Sequence, residues 1–584
     1  MPACGQSLPR LDPMKKNKAT ESAEESEVPP SLRVFLYITA AITGAVILVV
    51  EILGAKMLSP YLGTSHFVWT AQIAVTLVAL SVGYYAGGWL VDRSPKLRHL
   101  YYAILVAAVY LCATVPIVKP LCLKLMGLPL EWSALLAAAF LFLIPLALLA
   151  MTGPFLVRML TQSVKTIGTN MGRLTAISTL GSVAGAVLIG FVLIPHLPNS
   201  VTMLITAGVL IALSGVYLII WERGEAGSTA LVVTIVICFS FGYSGLRGQF
   251  GNKMKYGGVN WDVLYRANSN YGELQVIDRA DGRAERWYLN DQLIQNTYDP
   301  QLGKSRSLFT GALRWLAHAY TPKIERALCI GMGAGIVPMQ FVADGIETDV
   351  VEINGAAVPM AEQFFDFDSS KINLTIGDGR QFLNQTDRKY DAIILDAFLG
   401  DSSPSHLMTQ ESFTEIHNHL NEDGVLVINS FGETSLDRQF FAASLDKTLR
   451  SVFVGLARVR VHASGHGNVF FVATRADKLV AHRPPAAPSA EARERMADMD
   501  DDNDNDIREE WFDWWRQAGG KGPFFSEHSE VQGKMGMMWK KVRQYDLKQG
   551  SILLDDFNPV EFYDARNRDQ NRRGLIQMLS NNDG

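Results

Sequence analysis

Seven apolar runs in the first half of the chain constrain its fold more than any other feature. Each is close to the roughly 20 apolar residues that a helix needs to cross the bilayer core. They occupy residues 34–53, 68–90, 100–118, 132–151, 174–194, 201–220 and 230–246, and the last is the shortest. Hydrophobic residues make up 48% of the 584 residues, which is high for a soluble protein. The pattern predicts a membrane domain of about seven helices over residues 33–246, after a polar tail at 1–32.

Lysine and arginine residues in the short loops predict the orientation of these helices. They concentrate before the first run, between the second and third, and between the fourth and fifth. The opposite loops hold only Lys56, Lys119 and Lys124. Positive residues stay on the cytoplasmic side, so the N-terminus is predicted to be cytoplasmic. Glu51, near the end of the first run, is either a functional intramembrane acid or a side chain that reaches the interface.

Small residues within the apolar runs predict close contacts between helices. Gly181 and Gly185 are four residues apart, and Ala186 and Gly190 repeat that spacing. A stripe of small side chains lets two helix backbones approach each other. We interpret this stripe as a packing surface.

Three short segments in the second half each coincide with the end of a predicted buried strand. The segments are Gly331–Gly335, Glu352 and Asp378-Gly379, and the strands span 327–330, 349–353 and 372–376. A glycine turn after a first strand lets the backbone approach a ligand. An acid about 20 residues further on is placed to bind a ribose diol, and a third acid can meet an adenine amine. The ordered trio predicts an adenosyl pocket.

Strands alternate with helical patterns from about residue 323 to residue 478. This alternation predicts a mostly parallel sheet with right-handed crossovers, closed by a hairpin as in methyltransferase-like Rossmann folds. A small β-rich unit at 265–322 precedes it. An acidic linker at 479–510 and a C-terminal segment at 511–584 follow.

Charge and cysteine content exclude some classes of protein. The net charge of −5 is mild and argues against a nucleic-acid partner. The five cysteines show no Cys-x-x-Cys pair and no disulfide-like spacing, so we interpret them as small apolar side chains and expect no metal site.

The second half resembles spermidine synthases, the aminopropyltransferases that use decarboxylated S-adenosylmethionine. The whole chain looks like bacterial proteins that fuse a multi-pass membrane region to such a domain. The resemblance covers about residues 34–475, and the segment 554–561 looks like the C-terminal motif of those fused proteins. The matching elements are Ser269–Tyr271, Leu289–Asp291 with Gln295, the glycine turn, Val351–Ile353, Asp378 with its glycines, and Ile393–Asp396.

The resemblance implies a role for each matching residue. Glu352 would bind the ribose hydroxyls and Asp378 the adenine, next to the turn formed by Gly331, Gly333 and Gly335 and to Gly379. Asp396, after the fourth strand, would be the general base that takes a proton from the attacking amine. Its alternative is an acid that caps the following loop. The substrate-binding candidates are Tyr271, Gln295, Asp401 and His406.

The acceptor side of the pocket departs from the family pattern. The family's glutamine after the Ser-x-Tyr element is Gly272 here, the acid of its glycine turn is Ala334, and its Tyr-His pair falls near Lys304. Asp401 and His406 are candidates for a remodelled acceptor pocket, and a structural loop role is open for both.

Two hypotheses of function follow. The first is a membrane-anchored aminopropyltransferase that converts putrescine or an altered amine into a polyamine and methylthioadenosine. A variant of it uses S-adenosylmethionine and transfers a methyl group. The second is a transporter or sensor that binds an adenosyl or polyamine ligand without catalysis. The resemblance also suggests a homo-oligomer.

The location of the α/β domain leaves a conflict. A cytoplasmic N-terminus and seven spans would put the domain outside the cytoplasm, away from adenosyl donors. Because the final run has only 17 residues, we expect that it does not span fully and that the domain is cytoplasmic.

Overall fold

The computed structural model describes most of the chain. The described residues are 28–63, 65–161, 167–249, 251–256, 258–398, 404–431, 439–455, 457–463, 468–481, 527–540, 542–559 and 562. Asp401, most of the predicted N-terminal tail and acidic linker, and the first and last parts of the predicted C-terminal segment (511–526 and 563–584) lie outside them.

Seven helices in the first half of the described chain are long and apolar enough to cross a membrane, by length and composition, as the sequence predicted. They are α1 (Pro30–Leu62), α2 (His66–Arg93), α3 (Leu97–Leu125), α4 (Leu130–Leu160), α5 (Ile167–His196), α6 (Asn199–Glu222) and α7 (Glu225–Arg247).

Glycines set the closest approach between α1 and α5. A Cβ atom at Gly181 would lie 2.1 Å from the carbonyl oxygen of Ala41, and one at Gly185 would lie 2.6 Å from that of Ala45. Neither would fit without moving a backbone. The interpretation of the stripe as a packing surface is therefore confirmed for Gly181 and Gly185. A Cβ atom at Gly190 would meet nothing within 4 Å, so the close approach does not extend to that residue.

Helix α7 is longer than its apolar run. It begins at Glu225, so the span has 23 residues with a mean hydropathy of 1.9. The sequence missed the first turn because its residues are polar, although Thr229 Oγ1 donates to the Glu225 carbonyl within the helix (2.8 Å). The helix is therefore long enough to cross a membrane, by length and composition. That it does not cross fully stays a prediction.

A six-stranded antiparallel sheet follows α7, with its strands in chain order. They are β1 (Lys253–Tyr256), β2 (Val259–Ser269), β3 (Gly272–Arg279), β4 (Arg286–Asn290), β5 (Leu293–Asp299) and β6 (Lys304–Ser305). Within the small β-rich unit, the sequence predicts two strands joined as a hairpin, at residues 271–278 and 285–289, which correspond to β3 and β4. The sheet starts before the boundary expected at residue 265. Strands β2 and β5 were missed because they are rich in polar residues, while their pairing is made by backbone groups.

The second sheet is mixed and has the Rossmann-like order that the sequence predicted. Its order is β14-β12-β13-β11-β10-β7-β8-β9. The strands are β7 (Arg326–Ile330), β8 (Glu347–Glu352), β9 (Asn373–Ile376), β10 (Tyr390–Leu395), β11 (Leu420–Phe431), β12 (Val459–Ala463), β13 (Asn468–Thr474) and β14 (Val542–Arg543). Five neighbouring strands of this sheet are parallel, namely β11, β10, β7, β8 and β9. The other three, β13, β12 and β14, form an antiparallel edge.

Helices cover both faces of this sheet and bury one apolar cluster on each. They are α8 (Leu308–Tyr320), α9 (Ile336–Ala343), α10 (Ala357–Phe364), α11 (Gly379–Gln385), α12 (Gln410–His419) and α13 (Phe440–Val452). The chain runs outward from β7 through β8 to β9 and then returns to the other side of β7 with β10. Ligands of open α/β sheets bind at such a switch point, beyond the carboxyl ends of the strands.

A C-terminal helix returns to pack beside this site. Helix α14 (Ser529–Lys540) lies against α8, where a Cβ atom at Gly311 would be 2.8 Å from Val531. Just before α14, Glu527 Oε1 accepts a hydrogen bond from Arg314 Nη1 (3.0 Å). The sequence did not predict this contact.

Candidate active site

A cavity of about 560 Å³ lies at the switch point between β7 and β10. All but two of the predicted site residues line it. One exception is Gly335, which belongs to the glycine turn but packs against Phe367, where a Cβ atom would lie 2.3 Å from the ring. The other is Asp401, which is outside the described residues. The structure therefore brings the separate motifs of the sequence to one place.

The glycine turn crosses the ends of two strands. Gly331 has a φ of +95°, and its backbone N–H donates to the Val351 carbonyl (2.8 Å). A Cβ atom there would lie 2.3 Å from the carbonyl oxygen of Asp396, so only glycine fits between β7 and β10. Gly333 has a φ of +54° and no atom within 4 Å of its Cβ position, which leaves its backbone open to the cavity.

Glu352 is the last residue of β8, and its side chain links the end of that strand to the glycine turn after β7. Its Oε2 accepts from the Met332 N–H and its Oε1 from the Asn354 N–H, both at 2.8 Å. Burial raises the pKa of Glu352, although these N–H groups oppose the rise. Glu352 also lines the cavity, so its carboxylate oxygens are available to a ligand hydroxyl that shares or replaces one of these bonds.

Asp378 follows β9, and its carboxylate contacts both the first turn of a helix and a histidine side chain. Its Oδ1 accepts from the Gln381 N–H (2.9 Å) as the N-cap of α11, and its Oδ2 is 2.7 Å from His406 Nε2. Burial alone would raise the pKa of Asp378, but these hydrogen bonds outweigh it and lower the pKa. His406 therefore lies beside Asp378 in the wall of the cavity.

Asp396 follows β10 at the centre of the site. Its Oδ1 accepts from Asn429 Nδ2 (2.8 Å), and Asn429 Oδ1 accepts from Asn468 Nδ2 (3.0 Å). Burial and the nearby Glu352 carboxylate raise the pKa of Asp396 to about 6, against the opposing Asn429 bond. A carboxylate with such a pKa can receive a proton near neutral pH.

This raised pKa predicts the acid limb of the pH profile. Below about pH 6 Asp396 is protonated in the free protein and cannot accept a proton. We expect kcat/KM to rise about tenfold per pH unit up to pH 6 and then to level off. The acid limb of kcat should lie at lower pH, because a bound sulfonium cation favours the carboxylate. A flat kcat/KM between pH 5 and 7 would contradict this role.

The acceptor side was predicted less well. Gly272 has no room for a side chain, because a Cβ atom would lie 2.3 Å from Asn290 Oδ1 and 2.7 Å from Asp291 Oδ2. Lys304 lies opposite Asp299 in the register of β5 and β6 and does not line the cavity. Arg306 and Lys534 do line it. Lys534 comes from α14, and no sequence signal placed that helix here.

Asn290 is a cavity-lining residue whose role the sequence did not reveal. The residue is 7% exposed, and its Oδ1 has no hydrogen-bond partner among the described residues. A buried carbonyl oxygen without a partner carries a free-energy cost that a ligand N–H removes. The sequence contained Asn290 within its Leu289–Asp291 element but gave it no role.

The fold and these strand-end acids define a Rossmann-like protein of the methyltransferase type. The family described as "Spermine/spermidine synthase domain" matches residues 315–477. Over 230 residues the chain is 31% identical to the polyamine aminopropyltransferase of Vibrio vulnificus, covering 38% of this chain and 70% of that protein. The chain therefore belongs to the spermidine synthase family, and its second half is a transferase domain of that type.

Two further proteins are similar to this chain. The chain is 31% identical over 211 residues to the N-terminal histidine N-methyltransferase of Emericella nidulans, covering 33% of this chain but only 37% of that protein. The solved structure of a probable spermidine synthase from Corynebacterium glutamicum matches 40% of this chain and 84% of its own at 20% identity, with a TM-score of 0.31.

Proposed function

We propose that this protein is a membrane-anchored aminopropyltransferase that uses decarboxylated S-adenosylmethionine and an amine acceptor. The observation that carries the proposal is Asp396, a buried carboxylate with a pKa of about 6 at the switch point of the sheet. Glu352 and Asp378 would bind the adenosyl group. Asp396 would take a proton from the acceptor amine as its nitrogen attacks the carbon next to the sulfonium. The products are an alkylated amine and methylthioadenosine.

The lining of the cavity favours an altered amine over putrescine. Its acids, among the described residues, are Glu352, Asp378 and Asp396, and all lie at strand ends. The remaining wall carries amides and the cations Arg306 and Lys534. Two ammonium groups need two acceptors of suitable charge when they are buried. A monoamine, or an amine that also carries an anionic group, suits this wall better than a diamine.

Asn290 supports binding of the acceptor nitrogen. We expect Asn290→Ala to raise the KM for the acceptor about tenfold, because an N–H bond to a buried oxygen contributes about 1 to 1.5 kcal/mol. The thermal midpoint should not fall, since the buried oxygen has no partner in the unliganded protein. Steady-state kinetics and thermal unfolding check this together. An unchanged KM would remove Asn290 from the acceptor site.

A second candidate function is methyl transfer from S-adenosylmethionine. The observation that favours it is Ala334, which lines the cavity where the family has an acid in its glycine turn. An acid there would repel the carboxylate of S-adenosylmethionine, and an alanine does not. The similarity to a histidine N-methyltransferase points the same way.

One experiment separates the two candidates. The purified protein is supplied with either donor and a panel of amines, and the adenosyl product is identified by mass spectrometry. Methylthioadenosine from decarboxylated S-adenosylmethionine supports aminopropyl transfer. S-adenosylhomocysteine from S-adenosylmethionine supports methyl transfer. No turnover with either donor would leave ligand binding without catalysis.

Membrane anchoring is part of the proposal and concerns helices α1–α7. Lys56 near the end of α1 and the chain leaving α7 both meet the soluble part, so seven spans put that part opposite the N-terminus. Reporter fusions at the two termini measure this topology, and the proposed transfer requires a cytoplasmic C-terminus because adenosyl donors are in the cytoplasm. Two cytoplasmic termini would mean that one helix does not cross. An external domain would need a donor outside the cytoplasm, and it would favour a transporter or sensor that binds its ligand without turnover.

A further inference from the structure

Part of the C-terminal motif at residues 554–561 lies beside the cavity, next to the turn that carries His406. We call residues 553–559 together with Phe562 the strap. The Leu553 carbonyl accepts from the Gln410 N–H (2.8 Å), and the Asp555 N–H donates to Glu411 Oε2 (3.2 Å). These bonds fix the strap to the start of α12. The strap itself lies outside the part of the chain that matches the family.

The strap is bound to both walls of the adenosyl side. Asp555 accepts two hydrogen bonds from Arg380, at 2.7 and 2.6 Å, and Arg380 directly follows Gly379. Arg380 also donates to the His406 carbonyl (3.3 Å). Asn558 Nδ2 donates to the Ser405 carbonyl (2.8 Å). The short turn that carries His406 is thus held from outside by the strap and from inside by Asp378.

The far end of the strap contacts the membrane domain. The ring of Phe562 lies 5.8 Å from that of His66 and 5.4 Å from that of Phe67, at the start of α2. On the other side of the same helical hairpin, Lys56 Nζ donates to the Asn270 carbonyl (3.2 Å), next to cavity-lining Tyr271. The tip of the α1–α2 hairpin therefore contacts elements on two sides of the cavity.

We propose that Asp555 and Asn558 are positioning residues that set the affinity for the adenosyl group, and that Phe562 makes this affinity depend on contact with the α1–α2 hairpin. The inference rests on the proposed adenosyl site. Asp555 acts through Arg380 on the turn after Asp378, and Asn558 acts through Ser405 on the position of His406. A displacement of the membrane hairpin would reach the cavity through the strap.

The neighbouring aspartate provides a matched control. Asp556 is an exposed acid one position further along the strap, and no described contact joins it to the cavity walls. The substitutions Asp555→Asn and Asp556→Asn remove the same charge from the same segment. Only the first breaks the bidentate pair with Arg380.

The experiment measures binding of methylthioadenosine to the full-length protein in detergent by calorimetry. We expect Asp555→Asn to weaken binding about fivefold, Asn558→Ala and Phe562→Ala about threefold each, and Asp556→Asn not at all. Asp555→Glu should restore most of the affinity. In steady-state assays the loss should fall on KM for the donor and leave kcat within about twofold.

Three outcomes decide the inference. Equal affinities of Asp555→Asn and Asp556→Asn would overturn it, and so would a lower thermal midpoint in Asp555→Asn without a change in affinity. Failure of the unsubstituted protein to bind methylthioadenosine would overturn the adenosyl site itself and the strap with it. That failure is recognisable because it affects every variant equally.

Discussion

Asp396→Asn should lower kcat by about 10²- to 10⁴-fold while leaving methylthioadenosine binding within about threefold. The amide keeps the shape of the carboxylate but cannot accept the proton that the attacking nitrogen releases. It can still meet the Asn429 side chain if the local amides reorient, so the fold should survive. Rapid-quench kinetics and calorimetry on the same preparation measure the two quantities.

The same strand supplies the control for this substitution. Asp391 lies at the other end of β10, where it accepts from the backbone N–H groups of Glu325 and Arg326 and from Asn421. Asp391→Asn should lower stability and leave kcat nearly unchanged. If Asp396→Asn kept wild-type kcat, Asp396 would be a structural acid and the proposed mechanism would be wrong.

Glu352→Gln should weaken binding of the adenosyl donor about 100-fold. A ribose diol bound to a buried carboxylate makes two charge-assisted hydrogen bonds, each worth about 1.5 kcal/mol or more. The amide offers one acceptor oxygen, and that oxygen is also needed by the Met332 or Asn354 N–H. Calorimetric titration with methylthioadenosine measures the loss.

A matched substitution again separates binding from folding. Glu347 begins the same strand β8, is about half exposed, and pairs with Arg326 and Arg388. Glu347→Gln should leave the affinity for methylthioadenosine unchanged. Equal affinities of Glu352→Gln and the unsubstituted protein would show that the adenosyl group binds elsewhere.

The strand-end acids were predictable from the sequence because a simple rule applies to them. Parallel strands direct their carboxyl ends to one edge of the sheet, so Glu352, Asp378 and Asp396 had to meet once their strands were recognised. The same rule applies to Asn429, which lies beside Asp396 because β11 pairs parallel with β10, although no role was predicted for it. Asn468 follows no such rule, because it lies on β13 and meets Asn429 through an antiparallel pairing whose register the sequence does not display.

The acceptor wall was less predictable for a different reason. Lys534 lines the cavity from α14, more than 200 residues after Arg306 in the chain. Helix α14 is held beside Arg306 by an ion pair between Arg306 and Glu530 (2.5 Å). The strap has the same character, since its motif is short and its contacts span from 143 residues (Gln410 to Leu553) to 496 residues (His66 to Phe562). The length of α7 was missed because hydropathy does not register the polar first turn of a helix.

The most direct test of the account is simultaneous measurement of both products of the proposed reaction. The full-length protein is incubated with decarboxylated S-adenosylmethionine and single amines, and methylthioadenosine and the alkylated amine are quantified by mass spectrometry. We expect equal amounts of the two products, with monoamines or anionic amines preferred to putrescine and with the Asp396→Asn protein inactive. Methylthioadenosine without an alkylated amine, or no product with any amine, would contradict it.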